Sequence, residues 1–327
     1  MKGLHLVTIA CMFLFTAGHR NMGPGQGAPT SGCPSEELFL PCECEGSAVI
    51  QCNKAKTTSE VVESFKQKFE DFGAFGTFHM KNTPVSKIPS RLFGPAKFYS
   101  FRITGNLNLN SVEDNAFAGS EPFAEHIDIS NNAISSPSVF QAISKLDQLK
   151  YINLENNSLT EVPNNAFGNQ ALQFISLRYN KIQSVGQYAF QHLANLERLD
   201  LRNNLITLLQ DNVFDFVKTT VDYTSIALEN NKISDVSNNA LVGLKRSEVL
   251  LSNNLLTTLK AEAFQSYFEK IVQFNGRAIV LKDNPFYCDC RVKWIVENKS
   301  YWPYIGAMTC HDGRNIQSYK VEELEDC

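Results

Sequence analysis

Cysteine is the residue best placed to do chemistry in this chain, and its nine copies are unevenly spread. Cys11 lies in an apolar run near the amino end. The other eight form two sets of four, Cys33, Cys42, Cys44 and Cys52, then Cys288, Cys290, Cys310 and Cys327, with more than two hundred cysteine-free residues between them. Such sets can hold zinc as thiolates or oxidise in pairs to disulfides. Structural zinc sites favour gaps of about two to four residues between paired cysteines, whereas Cys42-Glu43-Cys44 and Cys288-Asp289-Cys290 leave a single residue. Disulfides are therefore the economical reading, and no metal is expected. Four cysteines at each end allow three connectivities, among which spacing does not choose.

The remaining reactive side chains are dispersed. The sequence contains no GxSxG, no HExxH, no P-loop and no dinucleotide-binding glycine fingerprint, so neither a nucleophile nor a cofactor site is expected. His19, His79, His126, His192 and His311 are scattered, and the carboxylates offer no pair to nominate as acid and base. An enzyme is not the expected class. Two N-x-S sequons, Asn156-Asn157-Ser158 and Asn298-Lys299-Ser300, are acceptors for N-glycosylation in a secreted chain. The formal charge of −4 on 327 residues provides no polyanion-binding field, which argues against nucleic acid as a partner.

Residues 1–18 read as a secretory signal, with Lys2 ahead of an apolar run from Leu4 to Phe15 and small residues Thr16, Ala17 and Gly18 at the cleavage site. That run is too short to span a bilayer. A Gly/Pro-rich linker, 19–32, follows. No later stretch has the length and apolarity of a transmembrane helix, and the chain closes on Cys327 without a hydrophobic tail. The expected location is extracellular, secreted and without a membrane anchor, which suits disulfides.

Between the cysteine sets the sequence repeats with a period of about 24 residues. The clearest copy, Leu149-Lys-Tyr-Ile152-Asn-Leu154-Glu-Asn-Asn157-Ser-Leu159, has the pattern LxxLxLxxNxL. Anchored on its asparagine, further copies centre on Asn106, Asn132, Asn180, Asn204, Asn231, Asn254 and Asn284, and a first copy has Thr83 in that place. That makes nine units, with spacings of 23, 26, 25, 23, 24, 27, 23 and 30 residues; the last gap holds an insertion around Ser266 to Gln273. The two central positions of the nine units, from Phe78 and Met80 to Ile279 and Leu281, are large and apolar throughout.

Alternating residues of a short strand point to opposite faces, so each unit turns its apolar pair inward and its flanking residues outward. One unit cannot bury that pair alone. Stacking units through return segments makes a parallel sheet closed over a shared interior. Each asparagine lies where the chain leaves the strand, where its amide can pair buried backbone groups of its own and neighbouring turns. Its role is structural. Phe93, Phe117, Phe167, Phe190, Phe214 and Phe264 recur in the return segments, mostly eighteen residues after the unit start, which predicts aromatic stacking on the convex side and core packing. His79 and His126 fall on outward positions two units apart, too far to share a ligand unaided.

These repeats, with Cys33-Pro34 leading to Pro41-Cys42-Glu43-Cys44 and Cys52, and with Asn284-Pro285-Phe286-Tyr287-Cys288-Asp289-Cys290 and Trp294, resemble extracellular leucine-rich-repeat proteins of the typical class. The resemblance covers nearly everything after the signal. It implies an α/β leucine-rich-repeat solenoid, a horseshoe with a concave parallel sheet and disulfide-bonded caps at both ends. The N-terminal cap would be 33–74, the repeats 75–286 and the C-terminal cap 287–327. It also implies the pairings Cys33 with Cys44, Cys42 with Cys52, Cys288 with Cys310 and Cys290 with Cys327. A narrower resemblance is to secreted arthropod leucine-rich-repeat proteins such as the non-catalytic subunits of luciferin monooxygenases. That likeness implies stabilising or escorting another secreted protein, such as a small light-producing catalytic subunit; periodicity shows nothing of it.

Outward strand positions of the middle units bring Tyr151, Asn153, Glu155, Phe174, Ser176, Arg178, Arg198, Asp200 and Arg202 together on the concave face. Aromatic and arginine side chains dominate interface energetics, because they bury much area and hydrogen-bond with fixed geometry. This patch is the expected partner surface, and a glycan on Asn156 would stand at its edge. The expected function is a secreted, non-catalytic protein-binding scaffold, an accessory or stabilising subunit of a complex. The alternative is a free-standing extracellular recognition protein of innate immunity or matrix adhesion.

Overall fold

The computed structural model describes residues 33, 39–46, 49–66, 69, 72–217 and 219–324. The expected signal (1–18), the linker (19–32) and Cys327 lie outside the described residues. Nine strands in the expected register, Phe75–Lys81, Phe98–Thr104, His126–Asp128, Tyr151–Asn153, Phe174–Ser176, Arg198–Asp200, Thr224–Ala227, Ser247–Leu250 and Ile279–Val280, pair in parallel in chain order. The caps lengthen this sheet to twelve strands. An antiparallel pair, Glu43–Glu45 and Val49–Gln51, precedes the repeats, and Ile305–Gly306 follows them.

All eighteen central apolar positions are wholly buried, at 0% exposure. The cap strands continue the first of these rows at both ends: Ile50 pairs beside Phe78 and Ile305 beside Ile279. The sheet's open ends are thus closed by residues that imitate a repeat, the capping a solenoid requires.

The ladder asparagines are buried and act on backbone as their position requires. Asn204 is typical: its Nδ2 donates to Leu177 O and Leu201 O, both at 3.0 Å, and its Oδ1 accepts from Ile182 N at 3.0 Å. Asn157, Asn180, Asn231, Asn254 and Asn284 repeat the arrangement. At the amino end the ladder shifts, and Asn132 Oδ1 accepts from Asn106 N (2.8 Å) rather than from a residue further on. Thr83, which has no amide, joins by donating its hydroxyl to Asn106 Oδ1 at 2.7 Å.

The residue before each ladder position has positive φ in all nine units: Asn82, Gly105, Asn131, Asn156, Tyr179, Asn203, Asn230, Asn253 and Asp283. Gly, Asn and Asp tolerate this left-handed region, because glycine lacks a Cβ and the short polar side chains bond locally. Tyr179 is the exception.

On the convex side the phenylalanine rings stack, Phe93 on Phe117 at 6.2 Å, Phe167 on Phe190 at 5.6 Å and Phe190 on Phe214 at 6.1 Å. Between Phe117 and Phe167 the return segment is the helix Ser138–Ser144, whose Phe140 meets Phe167 edge-on. Strands stack about 4.8 Å apart, less than these ring separations, so the stack bends towards the sheet and makes its outer face concave. The long gap before Asn284 is filled by the helix Ala261–Gln273, which carries Phe264, Tyr267 and Phe268 into the core.

The disulfides Cys33–Cys44 and Cys42–Cys52 staple the amino cap, and Cys288–Cys310 the carboxyl cap. Cys290 is also disulfide-bonded. Phe39, Phe65 and Phe69 of the amino cap join the first repeats' Phe78, Phe93 and Phe98 in one aromatic cluster, for example Phe65 to Phe93 at 5.2 Å. In the carboxyl cap Trp294 Nε1 donates to Leu259 O (3.0 Å), tying the cap to the eighth unit's return.

Candidate binding site on the concave face

Parallel pairing in constant register sets equivalent residues of successive units side by side, so the outward positions form rows running across strands. The first row is His126, Tyr151, Phe174 and Arg198. Tyr151 and Phe174 stack face to face at 4.8 Å with 7° between planes. His126 leans on Tyr151 at 6.1 Å, and the Arg198 guanidinium lies 5.9 Å from the Phe174 centroid. Burial holds the His126 imidazole below its usual range, so it joins the row uncharged near neutral pH.

The second row, Asp128, Asn153, Ser176 and Asp200, lies deeper. Ser176 is 3% and Asp200 2% exposed although both face the concave side. Asn153 Nδ2 donates to Asp128 Oδ1 at 3.2 Å. Burial opposes ionisation of Asp200, but hydrogen bonds from Arg202 and the charges of Arg202 and Arg198 hold its carboxyl below the usual carboxylate range. Arg202 grips it with two groups: Nε donates to Oδ1 at 2.9 Å, and Nη2 pairs with Oδ2. Arg198 and Arg202, from the rows on either side, therefore roof a buried anion.

The third row continues where the strands end, with Glu155, Arg178, Arg202 and Glu229 on adjacent turns. Arg178 Nε sits 3.3 Å from Glu155 Oε1, within ion-pair range but off line for a hydrogen bond, so that N–H has no acceptor. Burial pushes the Glu229 carboxyl up. Among the described residues five buried side-chain polar atoms lack a hydrogen-bond partner, and three of them, Ser176 Oγ, Arg178 Nε and Glu229 Oε2, are in this patch. An unpaired buried polar group costs about 1–3 kcal/mol, so the layer just beneath this face is locally under-satisfied.

The structure therefore places Tyr151, Asn153, Phe174, Arg198 and Asp200 on three adjacent strands, and Glu155, Arg178 and Arg202 on the turns that follow them. His126, expected at an outward position, extends the patch, as do Asp128, Glu229 and Tyr179, which were not singled out from sequence. Tyr179 is 47% exposed, and the Arg178 guanidinium lies 4.7 Å from its ring centroid. Its signal was the asparagine that nearly every other unit has there. His79 stays apart, two strands from His126 with Arg102 between. Among the described residues no group of three or more His, Cys, Asp or Glu could hold a metal ion. Both sequon asparagines are exposed; Asn156 Nδ2 donates to Asn131 Oδ1 at 2.8 Å, and Asn298 Oδ1 accepts from Ser300 Oγ at 2.6 Å.

Comparison with known proteins agrees with this architecture. A leucine-rich-repeat model matches residues 170–218, and a model of the BspA type leucine-rich-repeat region matches 65–178. The chain is 24% identical over 315 residues to the oplophorus-luciferin 2-monooxygenase non-catalytic subunit of Oplophorus gracilirostris, covering 88% of this chain and 85% of that one. It is 26% identical to rat leucine-rich repeat transmembrane protein FLRT2 over 61% of this chain, but spans only 33% of that protein. Among solved structures, a chain in the octameric complex of latrophilin 3, Unc5D and the FLRT2 repeats superposes with a TM-score of 0.53 at 19% identity, over 90% of this chain and all of the other. That last likeness is one of fold.

Proposed function

We propose, on the premise that the chain is a leucine-rich-repeat protein with cysteine-rich caps, that it is a secreted, non-catalytic subunit binding another secreted protein on its concave face. The observation that carries this reading is the patch on strands Tyr151–Asn153, Phe174–Ser176 and Arg198–Asp200. There a stacked aromatic pair and three arginines share one surface. Such a surface has what an interface centre needs: area in rigid rings, and guanidinium forks with fixed hydrogen-bonding geometry. The Oplophorus relative, matched over 85% of its length, is the non-catalytic subunit of a monooxygenase, which supports an accessory role beside a catalytic subunit.

Glycans on Asn156 and Asn298 are part of the same reading. Asn156 borders the patch at the turn next to Tyr179, so a sugar there would confine the partner to the strand side of that turn. The test is partner binding by Phe174→Ala and Arg178→Ala. Both variants should bind at least about tenfold more weakly, as expected for residues at an interface centre, and melt no lower than the parent. Undiminished binding by both would remove the concave face as the site.

A further inference from the structure

The position that opens each unit, three residues before the first buried strand residue, changes character along the chain. In the first six units it is Phe75, Phe98, Ala124, Leu149, Leu172 and Leu196, all buried. In the last three it is Tyr223, Arg246 and Gly276. Tyr223 and Arg246 are exposed, so the apolar row stops here and a recess opens at the edge where these strands begin.

Both irregular return segments wall that recess. The longer return before Asn231 supplies Phe216 and Tyr223, and the chain leaving the helix Ala261–Gln273 supplies Phe274 and Arg277. The inner cavity, about 240 Å³, is lined by Phe216, Tyr223, Lys245, Arg246 and Phe274 among others. An adjoining one of about 340 Å³ shares Tyr223, Arg246 and Phe274 and reaches Arg277 and Asp222. The Arg277 guanidinium lies over the Tyr223 ring, 4.2 Å from its centroid. Lys245, Arg246 and Arg277 have no carboxylate within ion-pair distance among the described residues, and Asp222 is the single acid in either lining.

We propose that this recess binds a small aromatic anion, a single ring bearing a sulfate, phosphate or carboxylate, with the ring between Tyr223 and Phe274 and the anion on Arg246 and Lys245. The chemistry of the walls selects both halves of the ligand. Ring faces and edges at Phe216, Tyr223 and Phe274 favour a planar apolar body. Guanidinium matches an oxyanion bidentately, and an uncompensated cluster of cations is favourable only to negative charge. The inner cavity alone, at about 240 Å³, is below a drug-sized pocket of about 300–1,000 Å³, which suits one ring. This site is separate from the concave patch and does not depend on the partner proposed there.

The test is calorimetry on the full secreted chain with phenyl sulfate, phenyl phosphate and benzoate, beside phenol and inorganic sulfate as the two halves. At least one aromatic anion should saturate the protein, with phenol and inorganic sulfate each about tenfold weaker or more. Arg246→Leu restores the residue that opens the middle units; it should melt no lower than the parent and bind that anion about tenfold more weakly, the loss expected for one charge-assisted contact. Arg246→Gln serves as the folded control if the leucine variant misfolds. No saturation by any aromatic anion at millimolar concentration, equal binding of phenol, or undiminished affinity in both Arg246 variants would overturn the proposal. The arm that binds identifies the oxyanion.

Discussion

Replacing Asn204 with alanine removes four hydrogen bonds, the longest a part-buried one to Arg202 O at 3.3 Å, and the structure says how much each of the three buried ones matters. Leu177 O keeps Asn180 Nδ2 at 3.0 Å and Leu201 O keeps Asn231 Nδ2 at 3.0 Å, so both carbonyls remain partnered. Ile182 N has no acceptor other than Asn204 Oδ1 and is orphaned. One orphaned buried donor costs about 1–3 kcal/mol, and two lost second bonds to carbonyls add roughly 0.5 kcal/mol each, giving about 2–4 kcal/mol. Asn204→Asp separates the ladder's two functions. Its carboxylate can still accept from Ile182 N, but the second oxygen now faces two carbonyls with no hydrogen to give. That variant should lose more than alanine at neutral pH. Its folded carboxyl must rise above the ordinary Asp value of about 3.9, so it binds a proton more readily folded than unfolded. Stability is therefore greatest below the unfolded value and is lost as pH rises through the folded one. Urea unfolding of the parent and both variants at several pH values measures this. A loss below about 0.5 kcal/mol for Asn204→Ala, within the scatter of an ordinary surface change, would refute the ladder argument.

Two further outcomes follow from the concave face and its rim. Asp200 has a depressed folded value, so its contribution is present above the unfolded carboxylate range and lost as pH falls through the folded value; Asp200→Asn should flatten the acid limb of the stability profile, read by thermal melts below pH 5. Tyr179 holds a left-handed backbone that asparagine adopts at lower cost, so Tyr179→Asn should raise stability by about 1 kcal/mol while weakening partner binding, seen by urea unfolding and a binding titration.

The sheet was legible because its signal repeats. A strand whose inner face must be apolar nine times over leaves little freedom of register, and Ile152 with Leu154 set a phase that Val249 with Leu251 obeys. The ladder asparagines were legible for the same reason. What the repeat does not encode was not legible. The cap strands contribute Ile50 and Ile305 without any flanking repeat pattern, and the amino cap's Phe39 and Phe65 enter the core across segments with no fixed spacing. In the patch, outward position did not foretell depth: Ser176 and Asp200 face the concave side yet are buried, Asp200 beneath Arg198 and Arg202. The left-handed turn was written in the doublets Asn131-Asn132, Asn156-Asn157 and Asn203-Asn204, but its meaning, and the oddity of Tyr179, appeared only with the backbone angles. Tyr223, Arg246 and Gly276 stood in the repeat as departures from leucine, and only their common edge shows that they open one recess.

The central claim is that the concave face serves a second secreted protein. Isolation of the chain from its native secretion under mild conditions, followed by size exclusion with mass spectrometry, tests it most directly. The expected result is a stoichiometric complex with another secreted protein in which the catalytic activity belongs to the partner. A lone monomer with no co-purifying protein would contradict it and turn the case towards free-standing recognition.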